Sequence, residues 1–243
     1  MILYDTLIEK TNELIGKSTS KSYAYNPKKI WPETKSFELI LQKEMAYALG
    51  GAGKQALNYT MVTTDSKYFN GDEVIVYGPD LKDIKGSVPY VRITMLLTTD
   101  IESDDEFDTE TAFRAIQEMD FIKYHVFPVG YMVRTSGQTS REQVRISKKA
   151  IKEGISFERI GDTFIKHYKQ NENVRNAKVI FVTAPDVDYS ALKDTAKKVT
   201  DITKSLSKIL EGMPTECGSC GLKDICDEVE GLKELHFGKT TKK

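Results

Sequence analysis

The run Tyr90-Val-Arg-Ile-Thr-Met-Leu-Leu97 decides the fold class. Its branched and aromatic residues follow one another between turn signals, so it reads as a strand. Two upstream runs read the same way: Leu57-Asn-Tyr-Thr-Met-Val62 and Glu73-Val-Ile-Val-Tyr77. The turns Asn70-Gly71-Asp72 and Gly78-Pro79-Asp80 set them apart. Outward from these strands the period changes. Leu3, Leu7, Ile8, Thr11, Leu14 and Ile15 fall at helical spacing, and residues 188–210 predict a long amphipathic helix. Strands and helices mix without a strict βαβ alternation. The expected fold is therefore α+β, a mixed sheet with flanking helices, followed by a small cysteine-rich segment.

The segments between are read from their punctuation. Residues 100–108 form an acidic run without the order of a calcium-binding loop, and they lead into a helix over 109 to about 122, where negative charge suits the dipole. Residues 126–134 and 143–146 predict a hairpin across Ser136-Gly137-Gln138. Ser147 caps a helix that Gly154 ends, Ser156 or Phe157 opens another reaching His167, and 177–183 is a strand. Residues 16–29 read as a polar loop or arm. A second apolar segment, 37–49, ends at Gly50-Gly51-Ala52-Gly53-Lys54. Gln55 follows Lys54 where a phosphate loop needs Ser or Thr, so this cluster predicts a tight turn rather than a nucleotide cradle. Three units result: 1–44, a helix and polar arm; 45–212, the α+β domain; and 213–243, a cysteine-rich tail.

Composition bounds the function. The 243 residues carry 35 Lys and Arg against 36 Asp and Glu, and a net charge of −1 offers no field for nucleic acid. No apolar run approaches the length of a membrane span, and the first ten residues lack the order of a signal peptide. The expected setting is cytoplasmic and reducing, which favours metal or redox roles for cysteine over structural disulfides.

All three cysteines, Cys217, Cys220 and Cys226, fall in one Gly-rich stretch near the C-terminus. Cys217 and Cys220 make a C-x-x-C turn with Gly218 and Gly221, and such thiolates suit zinc, copper(I) or an iron–sulfur cluster. His236 is the nearest candidate for a fourth ligand, with Asp224 and Asp227 as competitors; a reduced thiol pair or a labile disulfide are the other readings. His125 and His167 read as structural.

The run Gln138-Thr-Ser-Arg-Glu-Gln-Val-Arg-Ile-Ser-Lys-Lys-Ala-Ile-Lys-Glu-Gly-Ile-Ser-Phe-Glu-Arg-Ile-Gly-Asp162 adds a resemblance. It is similar to the G-Q-R…W-I-R-I-S-K-x-A-V-E-K-G-F…H-I-G-E stretch in the middle domain of the acetyl-CoA synthase (beta) subunit of the carbon monoxide dehydrogenase/acetyl-CoA synthase complex. Leu49-Gly-Gly51 and Val74-Ile-Val-Tyr-Gly-Pro-Asp80 agree with it. The resemblance runs from about residue 45 to the C-terminus. It implies a place in anaerobic one-carbon metabolism, with a [4Fe–4S] cluster held at C-x2-C-x8-C-x9-C in that family. Here the spacing is C-x2-C-x5-C, with nine residues between Cys226 and His236, which stands where the family's fourth cysteine would. The family's C-G-C nickel motif has no counterpart in the 243 residues. The implied protein is a truncated homologue that lacks the full nickel site. Its role would be accessory, regulatory or electron-transferring, with subunits of that complex or a corrinoid protein as partners. The family's middle domain is linked to coenzyme A, so the resemblance makes Arg134, Arg141 and Arg145 candidates for that ligand's phosphates, guanidinium forks being suited to them. Solvated surface charge is their other reading. A protein-interaction module with a structural Cys3His zinc centre is the alternative for the whole chain.

Overall fold

A computed structural model describes residues 3–36, 38–40, 42–99, 106–136, 140–210 and 219–229. Helix α1 (Asp5–Ile15) is followed by strands β1 (Ser20–Ala24), β2 (Ala46–Leu49), β3 (Ala56–Thr63), β4 (Glu73–Tyr77) and β5 (Tyr90–Thr98). Helix α2 (Glu106–Ile122), the hairpin β6 (Tyr131–Ser136) and β7 (Arg141–Ser147), and helices α3 (Lys148–Lys152) and α4 (Phe157–Tyr168) come next. Strand β8 (Val174–Val182) and helices α5 (Tyr189–Leu210) and α6 (Lys223–Glu228) complete the order.

The strands form one mixed sheet in the order β1-β4-β8-β5-β3-β7-β2, with β6 paired to β7. Strands β3 and β5 run parallel, as do β4 and β8, while β5 and β8 are antiparallel. Every residue of β3 and β5 is buried, as expected of central strands covered on both faces and rich in branched side chains. The expected α+β class is what the chain forms. No helix among the described residues is long and apolar enough to cross a membrane.

Helix α4 covers one face. Its Phe157 stacks on Phe181 of β8 at 4.5 Å, and Gly161 lets the helix approach Val74 of β4. Helices α1 and α5 pack together on the other face, where Thr11 meets Tyr59 at 3.3 Å. Two predicted caps hold α3 and α4: Ser147 Oγ accepts from Lys149 N, and Ser156 Oγ accepts from Arg159 N. Gly154, just past α3, takes the left-handed conformation at φ +94°.

One segment departs from its sequence reading. Residues within the expected polar arm, Ser20–Ala24, form the edge strand β1 along β4. The strand is mostly exposed and carries no apolar alternation; backbone bonds to β4, the Ser22 Oγ bond to Glu73 Oε2 at 2.8 Å and half-buried Tyr23 hold it in the sheet.

A fully buried ion pair ties the hairpin to the sheet. Arg92 of β5 donates from Nε and Nη2 to Oε1 and Oε2 of Glu142 of β7, at 3.0 and 2.7 Å. Asn58 Nδ2 adds a bond to Glu142 Oε2 at 2.6 Å, and the Arg92 guanidinium lies 4.0 Å above the Phe164 ring. Burial acts against the charge on Arg92, but the Glu142 carboxylate outweighs it and holds the guanidinium well above its usual pKa. This link matters because β7 meets β3 at a single register pair, Leu57 with Arg141.

Candidate functional site

The β2–β7–β6 ribbon has an inner and an outer face. Alternation sends Glu142, Val144 and Ile146 inward, where they are buried, and leaves Arg141, Gln143 and Arg145 on the outer face. The antiparallel register sets Arg134 opposite Gln143 and Met132 opposite Arg145, so these four share the outer face. Ala48 of β2 lies beside Arg145 on its other flank.

That face lines an open cleft of about 440 Å³. Arg134, Gln143, Arg145 and Met132 contribute from the hairpin, Gly51 and Ala52 from the turn after β2, and Gly86 and Ser87 from the turn before β5. Arg145 Nη1 donates to the Ile40 carbonyl at 3.0 Å, which steadies its guanidinium at the rim. Gln143 Nε2 donates to the Gly50 carbonyl at 3.1 Å, and Gly50 N donates to the Val88 carbonyl at 2.7 Å. The glycine turn is thereby fastened to both the hairpin and the neighbouring loop. Two guanidinium-bearing side chains, a hydroxyl and small-residue backbone converge here, and that combination suits an anionic, phosphate-bearing ligand.

Of the three candidate arginines, Arg134 and Arg145 come together in the cleft. Arg141 is exposed at the far end of the hairpin, opposite Ser136, outside the residues that line it. Gln143, Ser87 and the turn residues were not candidates in the sequence. The glycine cluster was the one signal that pointed toward them.

The metal segment is described only in its middle. Cys220 precedes α6 and Cys226 lies within it; both are half-buried and neither forms a disulfide. Helix α6 docks on α5 through buried Ile225 and an ion pair of Lys198 with Glu228, and Cys226 Sγ lies 3.7 Å from Ser205 Oγ. Cys217 and His236 lie outside the described residues, as do most of the residues expected to carry His236 into place. Among the described residues no group of three or more His, Cys, Asp and Glu side chains is arranged to hold a metal ion.

His125 and His167 are both engaged. His125 Nδ1 meets the Phe121 carbonyl at 3.3 Å and its ring packs on Phe121 at 4.6 Å; His167 Nε2 lies 2.8 Å from Glu33 Oε1.

Residues 34–187 match the family model of the CO dehydrogenase/acetyl-CoA synthase complex beta subunit. The chain belongs to this family. The beta-subunit match takes in the whole cleft, from β2 through the hairpin, together with the core sheet strands β3 to β8. It begins upstream of residue 45, where the resemblance was placed, and stops before α5, so the cysteine segment of this beta-subunit relative falls outside it. No curated protein matches the chain.

Proposed function

We propose that this beta-subunit relative serves carbon monoxide/acetyl-CoA metabolism as an accessory, electron-transfer or regulatory protein that binds coenzyme A and holds an iron–sulfur cluster. The observation that carries the coenzyme A reading is the pairing of Arg134 and Arg145 in a cleft inside the family-matched region. Two positive charges beside an open cleft bind the phosphates, and the apolar wall of Met132, Ala46 and Ala48 leaves room for the less polar part of such a ligand.

Cys217, Cys220, Cys226 and His236 are the residues that would hold the cluster. Three thiolates and one imidazole suit iron–sulfur chemistry, and among the described residues Cys220 and Cys226 form no disulfide. When bound, a [4Fe–4S] cluster supplies one-electron transfer. Other subunits of the complex and a corrinoid protein are the proposed partners, and no nucleic acid or membrane is among them.

Two measurements test these readings. Calorimetric titration with coenzyme A should show binding that Arg134→Ala and Arg145→Ala each weaken about tenfold, as loss of one charge-assisted contact predicts. Absence of binding by the wild-type protein would reject the cleft. Anaerobically prepared protein should be brown, contain iron and sulfide, and lose them in Cys226→Ser, with His236→Ala altering the spectrum and Asp227→Ala doing little. A colourless protein with stoichiometric zinc would reject the cluster in favour of a structural Cys3His zinc centre.

A further inference from the structure

The turn that closes the cleft carries more than its glycines' small size. Its backbone is largely left-handed: Gly50 has φ +70°, Ala52 +54° and Gly53 +78°, with Gly51 alone outside that region. Ala52 bears a Cβ in a conformation that such residues seldom adopt. The turn is pinned at its start by the bond of Gly50 N to Val88 and at its end by Lys54 N, which donates to the Gly51 carbonyl at 3.2 Å. Between those pins the N–H groups of Gly51, Ala52 and Gly53 have no hydrogen-bond partner among the described residues. Successive unpartnered amides within one tight turn make a concavity that attracts anions.

Gly51 and Ala52 line the same cleft as Arg134, Arg145 and Ser87. Gly51 sits so close to Ser87 that a Cβ there would lie 3.1 Å from the hydroxyl oxygen, which places a side-chain donor beside the amides. Amide donors favour one compact anion, while the arginines across the cleft suit further negative charge.

We infer that the turn Gly50-Gly51-Ala52-Gly53 is a backbone phosphate seat that holds the diphosphate of a nucleotide ligand, with Ser87 donating beside it. The inference rests on the reading of this cleft as a coenzyme A site and locates the diphosphate within it. A tight turn and a phosphate seat are here the same backbone, without the hydroxyl that follows the lysine of a phosphate loop.

Ala52 is exposed and left-handed, so Ala52→Asn and Ala52→Asp both fit there and differ in charge. Inorganic diphosphate and coenzyme A are titrated separately into the wild-type protein and both variants. Ala52→Asp should bind both ligands about tenfold or more less tightly than Ala52→Asn does, while both variants melt alike. Equal affinities of the Asp and Asn variants would overturn the seat while leaving coenzyme A binding in the cleft intact. Wild-type protein that binds coenzyme A but no diphosphate would overturn it as well. Diphosphate binding with the Asp–Asn contrast, but without coenzyme A binding, would support the seat and reject coenzyme A as its ligand.

Discussion

Replacing Glu142 by Gln tests whether one buried ion pair holds the hairpin, and with it the cleft, on the sheet. The Glu142 carboxylate receives Arg92 Nε and Nη2, Asn58 Nδ2 and, at 3.4 Å, the Tyr90 hydroxyl. Glutamine keeps the shape but offers one carbonyl oxygen, and its amide must face at least one of these donors. Arg92 remains fully buried and charged without its counterion. Breaking a buried pair at one partner costs about 3–5 kcal/mol. For a chain of 243 residues, each kcal/mol moves the melting point by about 2–4 °C, so a fall of about 6–20 °C is expected. Differential scanning calorimetry reads this directly. Arg92→Met combined with Glu142→Leu should recover more than half the loss, because the cost lies in the uncompensated charge rather than in the missing bond. A fall of less than about 2 °C in Glu142→Gln would refute the reasoning.

Asp162, buried on α4 beneath Asn26 N, has its pKa raised to about 6, first by burial and then by Glu158, against the bond from Asn26 and the charge of Lys29. Such a carboxyl binds protons more readily folded than unfolded, so its contribution turns unfavourable as pH rises from about 4 through 6, by at most about 3 kcal/mol. Asp162→Asn should therefore gain stability over wild type at pH 7.5 and lose that advantage near pH 4.5; a difference that ignores pH would contradict this. Gly161→Ala would put a Cβ 2.4 and 2.6 Å from the two Val74 methyls, and urea denaturation should show a loss of about 1–3 kcal/mol that Val74→Ala partly restores. Chelation or Cys226→Ser should leave the main thermal transition within about 2 °C of wild type, since α6 buries Ile225 alone among its residues; global unfolding on metal removal would show that the core depends on the tail.

Local chemistry made much of this fold legible in the sequence. Leu57–Val62 and Tyr90–Leu97 read as strands because central strands buried on both faces are dense in branched and aromatic residues. Ser147 and Ser156 announced two helix starts because an orphan N–H there needs a nearby oxygen. The hairpin's arginines stood out by type, and the cysteines by spacing, which remains the basis for reading Cys217 and His236 as ligands. What the sequence could not express lies between distant residues. Strand β1 joins the sheet chiefly by backbone bonds, and its mostly exposed side chains carry no period that would announce the pairing. Arg92 and Glu142 are 50 residues apart, and neither neighbourhood signals a buried charge. Hairpin register aligned Arg134 with Gln143 on the ribbon's outer face, but only the docking of the Gly50–Gly53 turn and Ser87 against that face made a cleft there and kept Arg141 out of it. Residue type determined which groups could meet an anion; the closing of the sheet, through contacts with no period in the chain, decided which of them do.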